Sequence, residues 1–306
     1  MTAEIIKPPA LTPGDTVGVV AVAAALDSGG LERGAAVLRE LGYRVKLSPH
    51  VLDKAGILAG DDQIRAKELT SFWRDPGIKA VFGARGGYGC GRLLPLLDFA
   101  ELARAPKIFL GFSDATFLLN AIVDHSRIVA FHGPMVATDL ARGLSRRAAT
   151  HLRALLSGER GLELEAAEAL RPGVAEGPLI GGCLSVVIAM MATPWQPAFD
   201  GRILFLEDTG EKGYRIDRML VQLRQAGVFQ RVAGIAFGAL LPVAGSKNER
   251  ALIAEFIREQ TAGLKCPVLC GIEAGHGSEN LTLPLGIRVR LDGNQRRMTI
   301  MESAVS

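Results

Sequence analysis

The chain has 306 residues, of which 48% are hydrophobic and only 6% aromatic, and it contains 36 glycines. This length suffices for about two ordinary domains, because single hydrophobic cores usually stop growing at roughly 250 to 300 residues. Lysine plus arginine exceed aspartate plus glutamate by 35 to 32, and no basic block is interleaved with aromatic residues. This near balance argues against a phosphate-tracking surface, so nucleic acid is not an expected partner.

The N-terminus and the apolar runs predict a chain that is neither exported nor inserted in a membrane. The first nine residues carry an acid and two prolines where a signal peptide needs a basic start and an apolar middle. The longest apolar stretches, residues 17–26 and 183–192, are well short of the roughly 20 residues that cross a bilayer. We therefore expect a cytoplasmic protein.

Cysteine usage is consistent with a reducing compartment. The four cysteines lie at scattered spacings inside apolar segments, which is typical of reduced, buried thiols; they are Cys90, Cys183, Cys266 and Cys270. The last two could form half of a metal site, but two further ligands are missing nearby. We expect no metal and no cofactor.

The N-terminal half alternates short apolar runs with longer segments of helical periodicity. Strands are predicted at residues 17–21, 44–47, 79–83 and 107–111, and helices at residues 31–41 and 62–73. Runs of four to six residues rich in β-branched side chains, separated by helix-length segments, are typical of parallel strands with crossover helices. The predicted fold class is therefore α/β, with an open parallel sheet in this half.

A change of composition between about residues 140 and 175 predicts a helix and a connecting segment. Beyond it we predict helices at residues 184–191, 214–226 and 249–262, strands at 203–206 and 234–240, and an antiparallel edge pair at 287–291 and 298–301. The predicted boundaries are an N-terminal domain at residues 1–145, a linker at 146–175 and a C-terminal domain at 176–306.

Residues 107–116 carry the strongest functional signal. An apolar run stops at a glycine and presents Ser113, which is followed at once by helix-starting residues. A serine at such a strand end exposes its hydroxyl where the first free amides of a helix meet, and the Asp114 amide would face any oxyanion formed there. Ser113 could equally be a helix N-cap. Ala115 replaces the second glycine of G-x-S-x-G, so an ordinary α/β-hydrolase turn matches poorly.

A glycine-rich loop, Arg85-Gly-Gly-Tyr-Gly-Cys-Gly91, follows the predicted strand at residues 79–83. Bare amides at the carboxyl end of a strand approach a ligand closely, either a phosphate or the oxyanion of an acyl intermediate. The loop lacks the full G-x-G-x-x-G spacing and a Walker lysine, so a phosphate fits poorly. A second oxyanion donor from Gly86 or Gly87 ranks above nucleotide binding, and a purely structural turn ranks level with it.

An acidic cluster follows the predicted strand at residues 203–206. It consists of Glu207, Asp208 and Glu211. A carboxylate at a strand end can accept an imidazole nitrogen and fix its tautomer, but three acids could also form a solvated loop or a cation site. Spacing does not choose among the three.

Among the five histidines, His276 is the favoured general base because flanking glycines place it on a loop. His132, which closes the strand after Ser113, is the rival. Ser113, Glu207 and His276 thus form a candidate nucleophile, orienting acid and base, the arrangement of a serine hydrolase.

Six ordered motifs over nearly the whole chain resemble the LD-carboxypeptidase family of serine peptidases, also called muramoyltetrapeptide carboxypeptidases, which includes the microcin C self-immunity peptidases. The motifs are Ala84-Arg-Gly-Gly-Tyr-Gly89, Gly111-Phe-Ser-Asp-Ala-Thr116, Phe131-His-Gly-Pro134, Leu206-Glu-Asp-Thr-Gly-Glu211, Ile216-Asp-Arg-Met-Leu220 and Gly275-His-Gly277. The resemblance implies a flavodoxin-like N-terminal domain that bears the serine. It also implies a smaller β-rich α/β C-terminal domain that bears the other two residues.

By the same resemblance, Ser113 is the nucleophile, Glu207 the acid and His276 the base. The implied oxyanion donors are the amides of Gly87 and Asp114, and the loop side chains Arg85 and Tyr88 are expected to contact substrate. The implied reaction removes the terminal D-alanine of a murein tetrapeptide, at the LD amide, during cytoplasmic wall recycling. A homodimer is also implied.

Three other functions stay open from the residues alone. The substrate could be an aminoacyl nucleotide conjugate, as for the microcin C peptidases. The chain could instead be a non-catalytic module whose two α/β lobes close on a small molecule through Gly86 and Gly87. An esterase or acyltransferase on an α/β-hydrolase fold would share the order of Ser113, Glu207 and His276, and it predicts a continuous eight-stranded sheet.

Overall fold

The structure is a computed structural model that describes residues 4–243 and 247–306, and the chain divides into two units. Unit 1 comprises residues 4–159, Leu281–Gly286 and Ser303–Ser306, and unit 2 comprises Arg160–Asn280 and Ile287–Glu302. Two short segments from the C-terminal end of the chain thus belong to unit 1. A division into consecutive sequence ranges does not describe this arrangement.

A six-stranded sheet forms the centre of unit 1. Its strands are β1 (Thr16–Val20), β2 (Arg44–Leu47), β3 (Ala80–Gly83), β4 (Ile108–Gly111), β5 (Ala130–His132) and β12 (Leu283–Leu285), in the order β12-β5-β4-β3-β1-β2. The first five strands are parallel, and β12 runs antiparallel beside β5. The order β2-β1-β3-β4-β5 is flavodoxin-like, with a topological switch point between β1 and β3. The predicted fold class is confirmed.

The central strands β3 and β4 are buried at every residue, which explains why they read as continuous apolar runs in the sequence. Helices flank the sheet: α1 (Ser28–Glu40), α2 (Asp62–Arg74), α3 (Phe99–Arg104), α4 (Thr116–Ala121) and α5 (Arg146–Leu156). Asp27 and Asp61 begin α1 and α2 by accepting the backbone N–H of Gly30 and Gln63. These caps fix the residue at which each of the two helices begins.

An eight-stranded mixed sheet forms the centre of unit 2. Its strands are β6 (Glu163–Glu165), β7 (Glu168–Arg171), β8 (Val174–Cys183), β9 (Ile203–Glu211), β10 (Gly234–Pro242), β11 (Val268–Cys270), β13 (Arg288–Asp292) and β14 (Arg297–Ile300), in the order β6-β14-β13-β8-β9-β10-β11-β7. Strands β8 to β11 are parallel, and the flanking pairs are antiparallel. The predicted β13–β14 pair is antiparallel, but its edge position is wrong because β6 pairs outside β14.

Helices α6 (Leu184–Met190), α7 (Gly213–Gln225), α8 (Val228–Arg231) and α9 (Lys247–Thr261) complete unit 2. Their apolar faces share one core with the sheet, including Leu204, Ile216, Leu220 and Phe237. Each such fully buried side chain stabilises the fold by about 1.5 to 3 kcal/mol. None of the helices in the described residues is long and apolar enough to cross a bilayer.

The α/β-hydrolase alternative is wrong for this chain. The strand that ends before Ser113 is β4, which lies in the six-stranded sheet of unit 1. The eight-stranded sheet belongs to unit 2 and carries Glu207 at the middle of β9, which runs on through the acidic cluster to Glu211. A continuous eight-stranded sheet that bears the serine is therefore not the architecture of the described residues.

Candidate active site

Ser113 lies in a strained turn directly after β4. Its φ is 59°, the left-handed region that side chains other than glycine rarely adopt, and Phe112 before it is extended. Such backbone strain costs about 1 to 3 kcal/mol and clusters at functional sites. The N-cap interpretation is wrong, because Phe112 occupies the capping position and no side chain caps the turn. Within unit 1, the Ser113 hydroxyl makes no hydrogen bond to the described residues, so it is not used to hold the turn.

The glycine-rich loop packs directly against Ser113. A Cβ atom added at Gly86 would lie 2.9 Å from Ser113 Cβ and 3.1 Å from its Oγ. Gly87 has a φ of +104°, and a Cβ there would lie 2.7 Å from Ala24 Cβ. Glycine is thus needed at both positions, at Gly86 for the close approach and at Gly87 for the backbone conformation. Backbone rather than side chains lines this side of the serine.

Asp114 joins the loop to the serine turn, a role that the sequence did not suggest. Its Oδ2 accepts the backbone N–H of Cys90 at 2.7 Å. The carboxyl is buried, and this burial raises the pKa of Asp114 above its usual range. The only signal in the sequence was an acid next to the proposed nucleophile.

Arg65 of α2 holds the loop from its other side and was also missed. Its guanidinium is buried, pairs with Asp62, and donates from Nη1 to the carbonyls of Val22 at 2.7 Å and Gly89 at 3.2 Å. One side chain thereby ties the end of β1 to the glycine-rich loop after β3. An arginine on the buried stripe of α2 is the signal that could have found it.

The two predicted substrate-binding side chains lie in the same loop. Arg85 is exposed and donates from Nη1 to the carbonyl of Ala25 at 2.9 Å. Tyr88 is 52% exposed. Their contacts with substrate stay a prediction, as do the oxyanion roles of the Gly87 and Asp114 amides.

In unit 2, Glu207 and His276 form a tight pair. Glu207 Oε2 accepts two hydrogen bonds from His276, one from the imidazole Nδ1 at 2.7 Å and one from the backbone N–H at 3.0 Å. Glu207 is fully buried, whereas the His276 side chain is 18% exposed. A carboxylate on Nδ1 fixes the proton there, so the neutral ring keeps its basic lone pair on Nε2. This arrangement is that of a histidine prepared to accept a proton.

Gly275 makes this approach of backbone to carboxylate possible. Its φ is +89°, and a Cβ atom there would lie 2.4 Å from Glu207 Oε2. Its N–H donates to Asn280 Oδ1 at 2.9 Å. Asn280 is buried and had no predicted role. Its side chain accepts the N–H of Gly275, five residues earlier, and so bridges the loop that carries His276.

The other two acids of the cluster have structural partners. Asp208 accepts the N–H groups of Ser185 and Thr209, each at 2.7 Å, and burial raises its pKa. Glu211 pairs with Arg215 at 3.4 Å, on the first turn of α7. The structure therefore distinguishes among three acids that spacing alone did not separate.

His132, the rival base, lies in unit 1 on β5. It is fully buried, and its ring packs edge-on against Phe112 with the centroids 5.7 Å apart. The partly exposed His276, with its carboxylate partner, has the geometry of a general base.

The four cysteines do not offer a competing nucleophile. All are free thiols, and burial raises the pKa of Cys90 and Cys183 well above the usual range and that of Cys270 to about 12. Neutral thiols react poorly, because the thiolate is the nucleophile and the metal ligand. Across residues 4–243 and 247–306, no group of three or more histidine, cysteine or acidic side chains could hold a metal ion.

Known proteins resemble the chain along most of its length. The family model of the LD-carboxypeptidase N-terminal domain matches residues 17–133, and that of the C-terminal domain matches residues 176–291. A Pseudomonas aeruginosa protein named murein tetrapeptide carboxypeptidase is 36% identical over 299 residues, which cover 92% of this chain and 94% of that one. The Escherichia coli microcin C7 self-immunity protein MccF is 27% identical over 333 residues, which cover 97% of this chain and 96% of that one.

A solved structure gives the same result. The crystal structure of a muramoyltetrapeptide carboxypeptidase from Oxalobacter formigenes is similar to this one with a TM-score of 0.84 at 31% identity, covering 94% of this chain and 99% of that one. The resemblance inferred from the motifs is confirmed, and the non-catalytic binding module is set aside. The chain belongs to the LD-carboxypeptidase family of serine peptidases.

Proposed function

We propose that the protein is a serine carboxypeptidase that cleaves the LD amide before the terminal D-alanine of murein tetrapeptides. The observation that carries the proposal is the Glu207–His276 pair, a buried carboxylate that orients a partly exposed imidazole. The names of the Pseudomonas and Oxalobacter relatives support the choice of substrate.

In the proposed mechanism, His276 Nε2 accepts the Ser113 proton while Oγ attacks the carbonyl carbon of the scissile amide. Glu207 stabilises the imidazolium that forms. The imidazolium then donates its proton to the leaving D-alanine amine, and water releases the acyl group from Ser113 in the reverse sequence of proton transfers. The nucleophile, base and acid are the three residues named from the sequence.

Two backbone amides, those of Gly87 and Asp114, are proposed to hold the oxyanion. Both follow from position: Asp114 stands at the start of a helical turn, where amides lack an intrahelical partner, and Gly87 lies in the loop that packs on Ser113. One such donor typically contributes about 3 to 4 kcal/mol to transition-state stability. The Asp114 carboxylate accepts the Cys90 N–H and thereby holds the glycine-rich loop against the serine turn.

The test is incubation with a murein tetrapeptide, followed by mass-spectrometric detection of the tripeptide and free alanine. We expect the wild-type chain to release one alanine for each tripeptide. Ser113→Ala and His276→Ala should reduce kcat by about 10³ or more, because the triad acts as a unit. Full activity of Ser113→Ala would contradict the proposal.

Matched control variants distinguish the loss of a catalytic group from a general effect of substituting a serine or a histidine. Ser157 is an exposed serine of unit 1 and His50 an exposed histidine, so Ser157→Ala and His50→Ala should keep wild-type rates.

The similarity to the microcin C7 self-immunity protein gives a second candidate substrate, an aminoacyl nucleotide conjugate. An intact tetrapeptide together with hydrolysis of an aminoacyl sulfamoyl adenosine by the same preparation would favour that candidate.

A further inference from the structure

A polar cavity of about 240 Å³ lies in unit 1, and we call it the arginine pocket. Its wall includes Asp27, Arg33, Arg85, Thr138 and Arg142. Pockets for whole drug-sized ligands usually measure about 300 to 1,000 Å³. The arginine pocket is therefore suited to one small group of a ligand rather than to a complete peptide.

The position of the pocket in the fold is that of a ligand site. Asp27 and Arg33 follow β1, Arg85 follows β3, and Arg142 comes shortly after a helical turn at Val136–Leu140 that follows β5. Strands β1 and β3 flank the topological switch point of the sheet. Open α/β sheets bind ligands in the crevice outside the carboxyl ends of the strands at this point.

The charge of the pocket calls for an anion. Three guanidinium groups and one carboxylate line it. The Asp27 carboxylate balances one of the three positive charges, and its Oδ1 also accepts the N–H of Gly30 at 2.7 Å as the cap of α1. Among the described residues, none of the three arginines forms an ion pair. Guanidinium groups match carboxylate and phosphate oxygens in a bidentate manner, and an anion would relieve their mutual repulsion.

The pocket is connected to the proposed nucleophile through Arg85. One Arg85 nitrogen is fixed on the carbonyl of Ala25, while the side chain contributes to the pocket wall. The next residue, Gly86, is the one that packs on Ser113. A ligand group held in the pocket would thus contact Arg85, which belongs to the same loop as Gly86.

We propose that the arginine pocket binds an anionic oxygen group of the substrate, a carboxylate of the peptide, at a distance from the bond that Ser113 attacks. This inference rests on the proposed function and adds a specificity site to it. A phosphate has the same recognition chemistry and would come from a nucleotide conjugate instead. The two sources are separated by the anions used below.

The first experiment measures anion binding and needs no turnover. Glutarate and inorganic phosphate are titrated separately into the wild-type chain at low ionic strength, since exposed charges are screened by salt. We expect binding that weakens about 10- to 100-fold in Arg33→Gln and in Arg142→Gln, the loss typical of one charge-assisted hydrogen bond. Arg39→Gln is the matched control, because Arg39 is an exposed arginine of the same helix outside the pocket wall.

Tighter binding of glutarate assigns the pocket to a peptide carboxylate, and tighter binding of phosphate assigns it to a nucleotide conjugate. The proposal is overturned if neither anion binds the wild-type chain. It is also overturned if Arg33→Gln, Arg142→Gln and Arg39→Gln bind the anion equally well while all three melt at the wild-type temperature.

The second experiment uses turnover of the tetrapeptide. Arg33→Gln and Arg142→Gln should raise KM at least 10-fold while kcat stays within about threefold, because the pocket holds a part of the substrate that does not react. Arg33→Lys should recover part of the loss, since it restores the charge without the fork geometry. An unchanged KM in both glutamine variants would contradict the proposal. If the wild-type chain leaves the tetrapeptide intact, the proposed function fails, and the anion titration still decides the pocket.

Discussion

Glu207 shows how one buried carboxylate can fix both the place and the protonation of a neighbouring imidazole. Its Oε2 accepts the ring Nδ1 and the backbone N–H of the same residue, His276. A backbone contact fixes the loop, and a ring contact fixes the tautomer. The absence of a Cβ at Gly275 is what lets both contacts form on one oxygen.

Glu207→Gln is expected to lower kcat for the tetrapeptide by about 10³ to 10⁴, because an amide keeps the shape of the site but does not stabilise the imidazolium. Glu211→Gln is the matched control, since Glu211 belongs to the same acidic cluster and pairs with the partly exposed Arg215. It should leave kcat within about twofold of wild type. Steady-state kinetics decide the point, and a Glu207→Gln variant with more than a tenth of the wild-type kcat would argue against the proposed role.

Asp114 gives a pH-dependent prediction. Its folded pKa is raised by burial above the ordinary value of 3.8, so the folded chain holds this proton more firmly than the unfolded chain. The stability that this group contributes is present below the ordinary pKa and is lost as the pH rises through the folded pKa. Asparagine does not titrate, so the free energy of unfolding of Asp114→Asn should rise relative to wild type over that window.

Urea denaturation of both chains from pH 3.5 to 7 measures this difference, and other titrating groups cancel in it. A difference that is constant with pH, or that falls, would show that Asp114 does not bury an uncompensated charge. Asparagine retains an oxygen acceptor for the Cys90 amide, so the loop contact itself should survive.

At the scale of elements, the serine turn and the glycine-rich loop act as one unit. The turn after β4 is strained at Ser113, and the loop after β3 lies against it. Contacts from α2 and from the turn itself hold the loop, through Arg65 and Asp114 respectively. Rigid elements thus position a nucleophile and proposed oxyanion donors that come from two different strands.

Gly86→Ala should disturb this unit, because the new methyl would lie 2.9 Å from Ser113 Cβ and one of the two segments must move. We expect a loss of about 10² in kcat from the misplaced serine and a loss of about 1 to 3 kcal/mol in the free energy of unfolding. Gly77→Ala is the control, since its methyl would meet only the movable carboxylate of Asp75 in a remote turn. Equal kinetics for the two variants would refute the close packing inferred at Gly86.

The sequence predicted many of the elements, because their signals are local, but it did not predict the strands β6, β7 and β8, and it ended β9 five residues too early. Strand β2 has the predicted bounds, α2 ends one residue later than predicted, and α7 begins and ends one residue earlier. What escaped prediction depends on contacts between distant segments. Strand β12 has three residues and exists only because β5 offers an edge, and the Asp114–Cys90 and Gly275–Asn280 bonds link side chain to backbone across loops. Periodicity carries no information on such pairings.

The candidate site was likewise predicted where its signals are local and missed where it depends on contacts between distant segments. Chain order and local patterns proposed Ser113, His276 and a cluster of three acids, and the family resemblance named Glu207 among those acids. The structure adds the contact between Glu207 and His276. The roles of Ser113 and His276 in one reaction stay a proposal that kinetics must decide.

Across the whole chain, the backbone returns to unit 1 after it has built most of unit 2. The chain completes β1 to β5 of unit 1, builds most of unit 2, and then contributes β12 to the first sheet. Leu283 of β12 is fully buried beside β5. The C-terminal part of the sequence is thus a structural component of the unit that carries the serine.

Leu283→Ala tests this dependence. A buried leucine replaced by alanine leaves a cavity and typically costs about 2 to 5 kcal/mol of unfolding free energy. Leu252→Ala is the control, because Leu252 is 38% exposed on α9, and surface substitutions usually change stability by less than about 0.5 kcal/mol. Denaturant unfolding should separate the two variants clearly, and equal midpoints would mean that β12 does not support the sheet.

Covalent labelling of the serine is the most direct test of the account. A fluorophosphonate is added to the wild-type chain, the intact mass is measured, and the modified residue is located in a proteolytic digest. We predict one label, on Ser113, which is absent in Ser113→Ala and forms far more slowly in His276→Ala. An active wild-type chain that takes up no label, or takes it up at another residue, would contradict the account.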